Sequence, residues 1–320
     1  MKCLFRTALL ALLLALLGAG GFYAWHRFAD PAPRVETRQL IDPAPAPPQR
    51  KTLRLGTYNI AHARGSAAGT SNHNGESAED RLARVKAIGA ALREADLDAV
   101  ALNEIDFACT WSNGIDMLEV IGAEAGFAYA VRQRNYDAQV PGYRLDFGNA
   151  ILSRHPVENA RLVEFAPRQE WMAALIGNQD AAYAELSDGS QRFALCAVHL
   201  EVDDAAVRAR AAEELLALAG ASEVPLFIAG DFNATRQGSP GYDPPHDGPG
   251  AIELLLGGDA PKFVSQPTGT ATAADFTFPS EGPERTIDWV LAPTGTRIVR
   301  KEVVNLPLSD HCLVVLEVLR

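Results

Sequence analysis

Apolar runs of strand length that break off at a polar residue recur along this chain, in the segments TYNI, LNEID, DFGNAILS, VHLE, AGDFN, TIDWV and LSDHC. Runs of that length read as buried strands. A polar group buried in a core is costly unless it is paired, so such strand ends face a cleft or one another. The residues concerned are Asn59, Glu104, Asn149, His199, Asp231, Asn233, Asp288, Asp310 and His311. Carboxylates, amides and imidazoles gathered in one place suit a hydrolase that needs a divalent cation, a general base and a general acid.

The rest of the pattern places these ends in a mixed fold. Residues 52–60, 98–102, 127–132, 148–152, 181–186, 192–200, 225–229, 287–292 and 312–319 read as strands. Residues 77–95, 114–125 and 205–219 carry helical periodicity. Strict alternation would predict one parallel sheet, whereas this mixture predicts an α+β fold with two layers of sheet. Loops at 61–76, 133–145 and 234–250 are expected to rim the site.

The N-terminus has a different character. Lys2 and Arg6 precede an apolar stretch at 7–25, close to the roughly 20 residues of a spanning helix. Residues 1–28 therefore read as a membrane anchor with its N-terminus in the cytoplasm; the alternative is a cleaved signal peptide and a secreted or periplasmic protein. The proline-rich segment 29–50 reads as a semi-rigid tether, and 51–320 as the catalytic domain. A net charge of −11 argues against a broad basic surface for nucleic acid. Cys196 and Cys312 lie in apolar runs and read as buried, Cys109 reads as a loop thiol, and no C-x-x-C spacing suggests zinc.

Taken in order over nearly all of residues 52–320, the seven segments resemble the endonuclease/exonuclease/phosphatase superfamily, with AGDFN and SDHC its most specific motifs. That group includes pancreatic deoxyribonuclease, abasic-site endonucleases, neutral sphingomyelinases and inositol polyphosphate phosphatases. The resemblance implies a four-layer α/β/β/α sandwich of two mixed sheets flanked by helices, with the active site at one edge of the packed sheets. It implies Glu104 as principal ligand of Mg²⁺ (or Mn²⁺), with Asp310 as a second candidate. Asp231 then contacts the attacking water, Asn233 the phosphate, and His199 the leaving oxygen as general acid. His311 works on the phosphate and is oriented by Asp288. Asn59 fixes the metal-side carboxylate or a phosphate oxygen, and Asn149 is a further site-facing amide.

Residue chemistry agrees in part with those roles. Asp231 and Asn233 flank Phe232, and a two-residue period points both to one face. Ala61 departs from the pattern, standing where several abasic-site enzymes carry a carboxylate, so a full second metal site is not expected. His62, His73 and His246 read as solvated loop residues, and Asp106 as a loop cap. The implied reaction is hydrolysis of a phosphoester, on a small or lipid-linked substrate near a membrane, by a monomer. The alternatives are a nonspecific extracytoplasmic nuclease, for which Arg132, Arg134, Arg144 and Arg154 are the obvious basic strip, and an inactive binding module of the same fold.

Overall fold

Strands that bury both faces need apolar neighbours on both sides, and the two sheets of this chain are arranged to supply them. The computed structural model describes residues 2–29, 31–48, 50–171, 173, 177–189, 191–258 and 261–320. One sheet has seven strands in the order β1 (Val35–Gln39), β4 (Tyr129–Val140), β5 (Tyr143–Ser153), β3 (Ala99–Asp106), β2 (Thr52–Asn59), β13 (Leu313–Leu319) and β12 (Ile298–Val304). The other has six, in the order β10 (Phe263–Val264), β11 (Asp288–Pro293), β9 (Leu226–Asp231), β8 (Arg192–His199), β7 (Ala181–Ser187) and β6 (Val157–Val163). Both sheets are mixed: β2 runs parallel to β3, and β8 to β9, while the other pairs are antiparallel.

Three apolar layers hold the sandwich. Between the sheets lie Leu53, Leu55, Ala99, Ala101, Val131 and Ile151 from one side and Leu195, Ala197, Phe227, Ala229 and Val290 from the other. Helices α2 (Ala78–Glu94) and α3 (Met117–Ala125) cover the outer face of the seven-stranded sheet through Val85, Ile88, Leu92, Leu118 and Ile121. Helices α4 (Ala205–Ala221) and α5 (Ala251–Leu256) cover the six-stranded sheet through Ala212, Leu215, Ile252 and Leu255. Local signals set the helix starts: Ser77, Asp116 and Asp204 each accept a backbone N–H of the first turn. The result is the α+β, four-layer α/β/β/α sandwich of two mixed sheets.

Several elements differ from the sequence reading. The segment read as a tether contains β1, which pairs antiparallel with β4 from Val35 opposite Gln133 to Gln39 opposite Tyr129. The domain's sheet therefore begins before Lys51. Residues 133–145, read as a rim loop, continue β4 and β5 as a long hairpin. Cys109 lies in a loop, as read, but is fully buried there and donates to the Asp146 carbonyl at 3.1 Å. Cys109, Cys196 and Cys312 are all buried and unpaired. Ahead of the domain, α1 (Lys2–Ala24) belongs to an apolar helical stretch, Phe5–Ala29, long and apolar enough to cross a membrane, as either a signal anchor or a signal peptide would be.

Candidate active site

The polar strand ends continue the inter-sheet face of their own strands. On β2, Leu53 and Leu55 face the inter-sheet core, and the two-residue period carries the same face on to Asn59. The same count leads from Ala101 to Asn103 on β3, from Ile151 to Asn149 on β5 and from Ala197 to His199 on β8. It leads from Ala229 to Asp231 on β9 and from Val290 to Asp288 on β11. Where the apolar residues of the inter-sheet layer give out, amides, carboxylates and imidazoles take over. Sheet register aligns them: Asp231 is paired with His199 on one side and with Asp288 on the other.

A layer of buried amides separates the apolar core from the cleft. Asn103 donates to the Asn149 side-chain oxygen at 2.7 Å and to the Val198 carbonyl at 2.9 Å, and its own oxygen accepts the Asp231 backbone N–H at 3.0 Å. Asn149 donates to Gln133 and to the Asp180 carbonyl, both at 2.9 Å. Asn149 is fully buried and does not line the cleft. This corrects its reading as a substrate-facing amide: it lies one rung deeper, and its hydrogen bonds go to neighbouring strands. Asn103, overlooked in the sequence, is the residue that ties this layer to Asp231.

Above it opens a cleft of about 780 Å³ lined by Glu104, His199, Asp231, Asn233, Asp310 and His311, among others. Asn59, fully buried and like Asn149 not among the lining residues, lies behind Glu104 and Asp231 and donates through one nitrogen to each at 3.1 Å. Glu104 has φ +50° and lies where the β3–β5 register shifts, a bulge of the kind that re-aims a side chain. His199 Nε2 and His311 Nε2 each stand 3.7 Å from Asp231 Oδ2. Asp288 accepts from His311 Nδ1 at 3.0 and 3.1 Å, an arrangement that fixes the ring and leaves Nε2 to the cleft. Asn233 donates its backbone N–H to Asp231 at 2.8 Å and its side-chain amide to the Leu200 carbonyl at 2.9 Å. Ser309 donates to the Asn59 carbonyl at 2.6 Å, joining the SDHC turn to β2.

Three further residues belong to this cleft. His62, read as solvated, is buried, with Nδ1 2.6 Å from Asp106 and Nε2 3.4 Å from Glu104. Asp106 is accordingly no loop cap; it holds His62 and accepts from Trp111 Nε1 at 2.7 Å. Consecutive positive φ values at Ala61, His62 and Ala63 fold that loop back onto the site. Arg64 lies between two carboxylates, 3.4 Å from Glu104 and 3.6 Å from Asp310. Phe278 packs its ring 4.7 Å from that of His311. His73 and His246 stay exposed.

These neighbours set the charge states. Burial alone would raise the Glu104 carboxyl, but His62, His199, Arg64 and His311 outweigh it and hold it down at about 2. Burial would likewise lower the His311 imidazole, yet Asp288 and Asp231 push it up to about 10. Asp231 moves upward, through burial and the adjacent Asp288 charge, against the pull of the two histidines. Burial also raises Asp310. An ionised Glu104, a cationic His311 and a carboxylate of raised basicity are thus held within one cleft.

Hard divalent cations prefer oxygen donors, and the donors here fit one. Asp310 Oδ1 is buried with no hydrogen-bond partner among the described residues, and the ionised Glu104 lies beside it across Arg64. A second group, Asp231, Asp288 and His311, could also hold an ion, its ligand atoms lying within 4.8 Å of one another. In that group both Asp288 oxygens already face the His311 ring; on the other side Glu104 accepts from Asn59 and both carboxylates stand by Arg64, which leaves Asp310 Oδ1 as the carboxylate oxygen there without a partner among the described residues.

The four arginines of the anticipated basic strip are committed elsewhere. Arg132 pairs with Asp116, Arg134 with Asp146 at 3.0 Å, Arg144 with Asp146 at 2.6 Å and Arg154 with Asp96 at 3.5 Å. None of them lines the cleft, whose outer wall carries both signs of charge: Glu201, Asp203 and Asp243 beside Arg168, Arg208 and Arg285.

Comparison with known proteins accords with this geometry. The model of the Endonuclease/Exonuclease/phosphatase family matches residues 56–311. No curated protein matches the chain. An endonuclease/exonuclease/phosphatase from Bacteroides vulgatus superposes with a TM-score of 0.60 at 17% identity, covering 85% of this chain and 100% of that one. A mannosyl-6-phosphatase from Bacteroides thetaiotaomicron gives 0.58 at 14% identity, covering 84% and 100%. The human Nocturnin catalytic domain with bound sulfate anion gives 0.56 at 14%, covering 89% and 97%. At these identities the likeness is one of fold.

Proposed function

Because the chain belongs to the endonuclease/exonuclease/phosphatase family, we propose that it is a divalent-metal-dependent phosphoesterase that hydrolyses a small or lipid-linked phosphoester by in-line attack of water. The observation that carries this reading is Asp231 flanked by two imidazoles at 3.7 Å and linked through Asn59 to the ionised Glu104. Asp231 positions the water and takes its proton, a role favoured by its upward-shifted pKa. His311, held cationic by Asp288, donates from Nε2 to a phosphoryl oxygen. Its charge makes it a donor, not a second base. The Asn233 side chain lies at the phosphate, and His199 protonates the leaving oxygen. Glu104 and Asp310 would hold Mg²⁺ or Mn²⁺, which supplies neutralisation of phosphoryl charge when bound.

The arginines of the anticipated strip, all ion-paired away from the cleft, favour a small or lipid-linked ester over a nucleic-acid strand. An N-terminal helix with the Lys2 and Arg6 positions at its start supports an anchor that leaves the domain outside the cytoplasmic membrane. The test is release of product from a panel of phosphodiesters and monoesters, with and without EDTA. Turnover that disappears with EDTA and returns with Mg²⁺ or Mn²⁺ is the expected result. Undiminished turnover in excess EDTA would remove the metal from the proposal, and no turnover of any ester would favour the inactive module.

A further inference from the structure

The apolar N-terminal helix does not swing free of the domain. Ala32 donates its N–H to Asp137 at 3.1 Å, and Arg134 donates to the Pro33 and Arg34 carbonyls at 2.7 and 2.9 Å. One residue later β1 enters the sheet at Val35. The end of the helix also touches β4 directly: the Tyr23 and Tyr136 hydroxyls are 3.3 Å apart, and the Arg27 guanidinium lies 5.6 Å from the Tyr136 ring centre. The stretch that the sequence suggested as a long tether is therefore pinned along most of its first half. A bilayer around the helix would lie against the β4 side of the domain.

That side leads into the catalytic cleft. A cavity of about 220 Å³ is lined by Arg27 at the helix end and by Glu170, and it shares Asn135, Pro167 and Asn178 with the larger cleft. Close in the chain to the lining residues Arg27 and Glu170, Trp25 and Phe28 of the helical stretch and Trp171 are exposed. Tryptophan and basic residues at the end of an apolar span are the pattern of a membrane–water interface. Trp25 and Phe28 lie at the end of the span itself, where Leu10, Leu14 and Leu17 are also exposed.

We propose that the substrate is a phosphoester headgroup borne by a lipid of the same bilayer, entering the cleft along this cavity. The proposal rests on the phosphoesterase reading and adds the source of the ester to it. The chemistry is the same hydrolysis: the water oxygen bonds to phosphorus, the ester P–O bond breaks, and the leaving oxygen takes a proton. Docking confers the preference, because a lipid ester beside a fixed site is present at a high effective concentration.

The experiment uses the full chain in phosphatidylcholine vesicles. The ester class that the panel selects is offered in two forms, as a soluble nitrophenyl ester and as the same headgroup on a dioleoyl lipid. A variant carries about twenty Gly and Ser residues inserted directly after Ala29, which frees the domain on a flexible linker. The expected result is lipid-ester turnover about tenfold faster in the natural chain than in the variant, with equal turnover of the soluble ester. Equal lipid-ester turnover by both chains, or turnover of the soluble ester alone, would overturn the inference and leave the phosphoesterase reading standing. Turnover of neither form would overturn both. As a second measurement, a fluorophore on Trp171→Cys should be quenched by spin-labelled lipid in the natural chain and not in the insertion variant; an unquenched label in the natural chain would also overturn the inference.

Discussion

Asp231 and His311 face each other across 3.7 Å with their pKa values displaced upward for different reasons. Activity on the proposed mechanism needs Asp231 ionised, so the rate rises with pH across its raised pKa. It needs His311 protonated, so the rate falls as pH climbs through about 10. A pH–rate profile of the wild type should show both limbs, and His311→Ala should lose the alkaline one. Asp231→Asn and His311→Ala should each lower kcat by at least ~10²-fold while remaining folded, as circular dichroism would report. Glu104→Gln should behave otherwise: the amide keeps the shape and loses the charge, so activity falls and partly returns at high Mg²⁺, and calorimetry should show weakened binding of the cation. The residues at strand ends were legible in the sequence because an apolar run that stops at a polar group is conspicuous. His62 and Arg64 were not, because three left-handed residues turn that loop inward, and no periodic pattern announces such a turn. Asn149 was misread for the opposite reason. It obeys the same alternation as its neighbours, and only depth in the sandwich separates a buried amide from one facing the cleft.

At the scale of elements, β9 holds the site together by lying between β8 and β11. Gly230 lets it approach: a Cβ there would fall well inside contact distance of the Val198 carbonyl on β8. Gly230→Ala should force these strands apart at a cost of about 1–3 kcal/mol, lowering the melting temperature by about 5 °C. It should also reduce kcat, since His199 and Asp231 are paired in register across that gap. Differential scanning calorimetry and kinetics on the same preparation would check it; an unchanged Tm and kcat would mean that the close approach is not needed. The central strands were easy to read because both of their faces are apolar. The edge strands were harder: VETRQ, VENARLV and IVRKEVV are each interrupted by two or three charged residues, which suits an edge that must resist further pairing but reads as loop. The polar half of the β4–β5 hairpin was lost for the same reason.

For the molecule as a whole, where the domain begins is a practical matter. Removing β1 would uncover the edge of β4 and strip Val35 and Leu40 from the cores they pack against. A fragment of residues 51–320 should therefore melt about 5 °C or more below one of residues 31–320, and aggregate more readily. Equal thermal midpoints would show that β1 is dispensable. The buried thiols carry a separate consequence, for the way the chain matures. Only a thiolate is readily oxidised, and burial pushes Cys196 and Cys312 up to about 12 and Cys109 upward as well. Once folded, these sulfurs would be inert in an oxidising compartment without any covalent crosslink. Before folding they have no such shelter. Export would then be a race between closure of the sandwich and mispairing of its cysteines, and the yield of refolding without a reductant would record which finishes first.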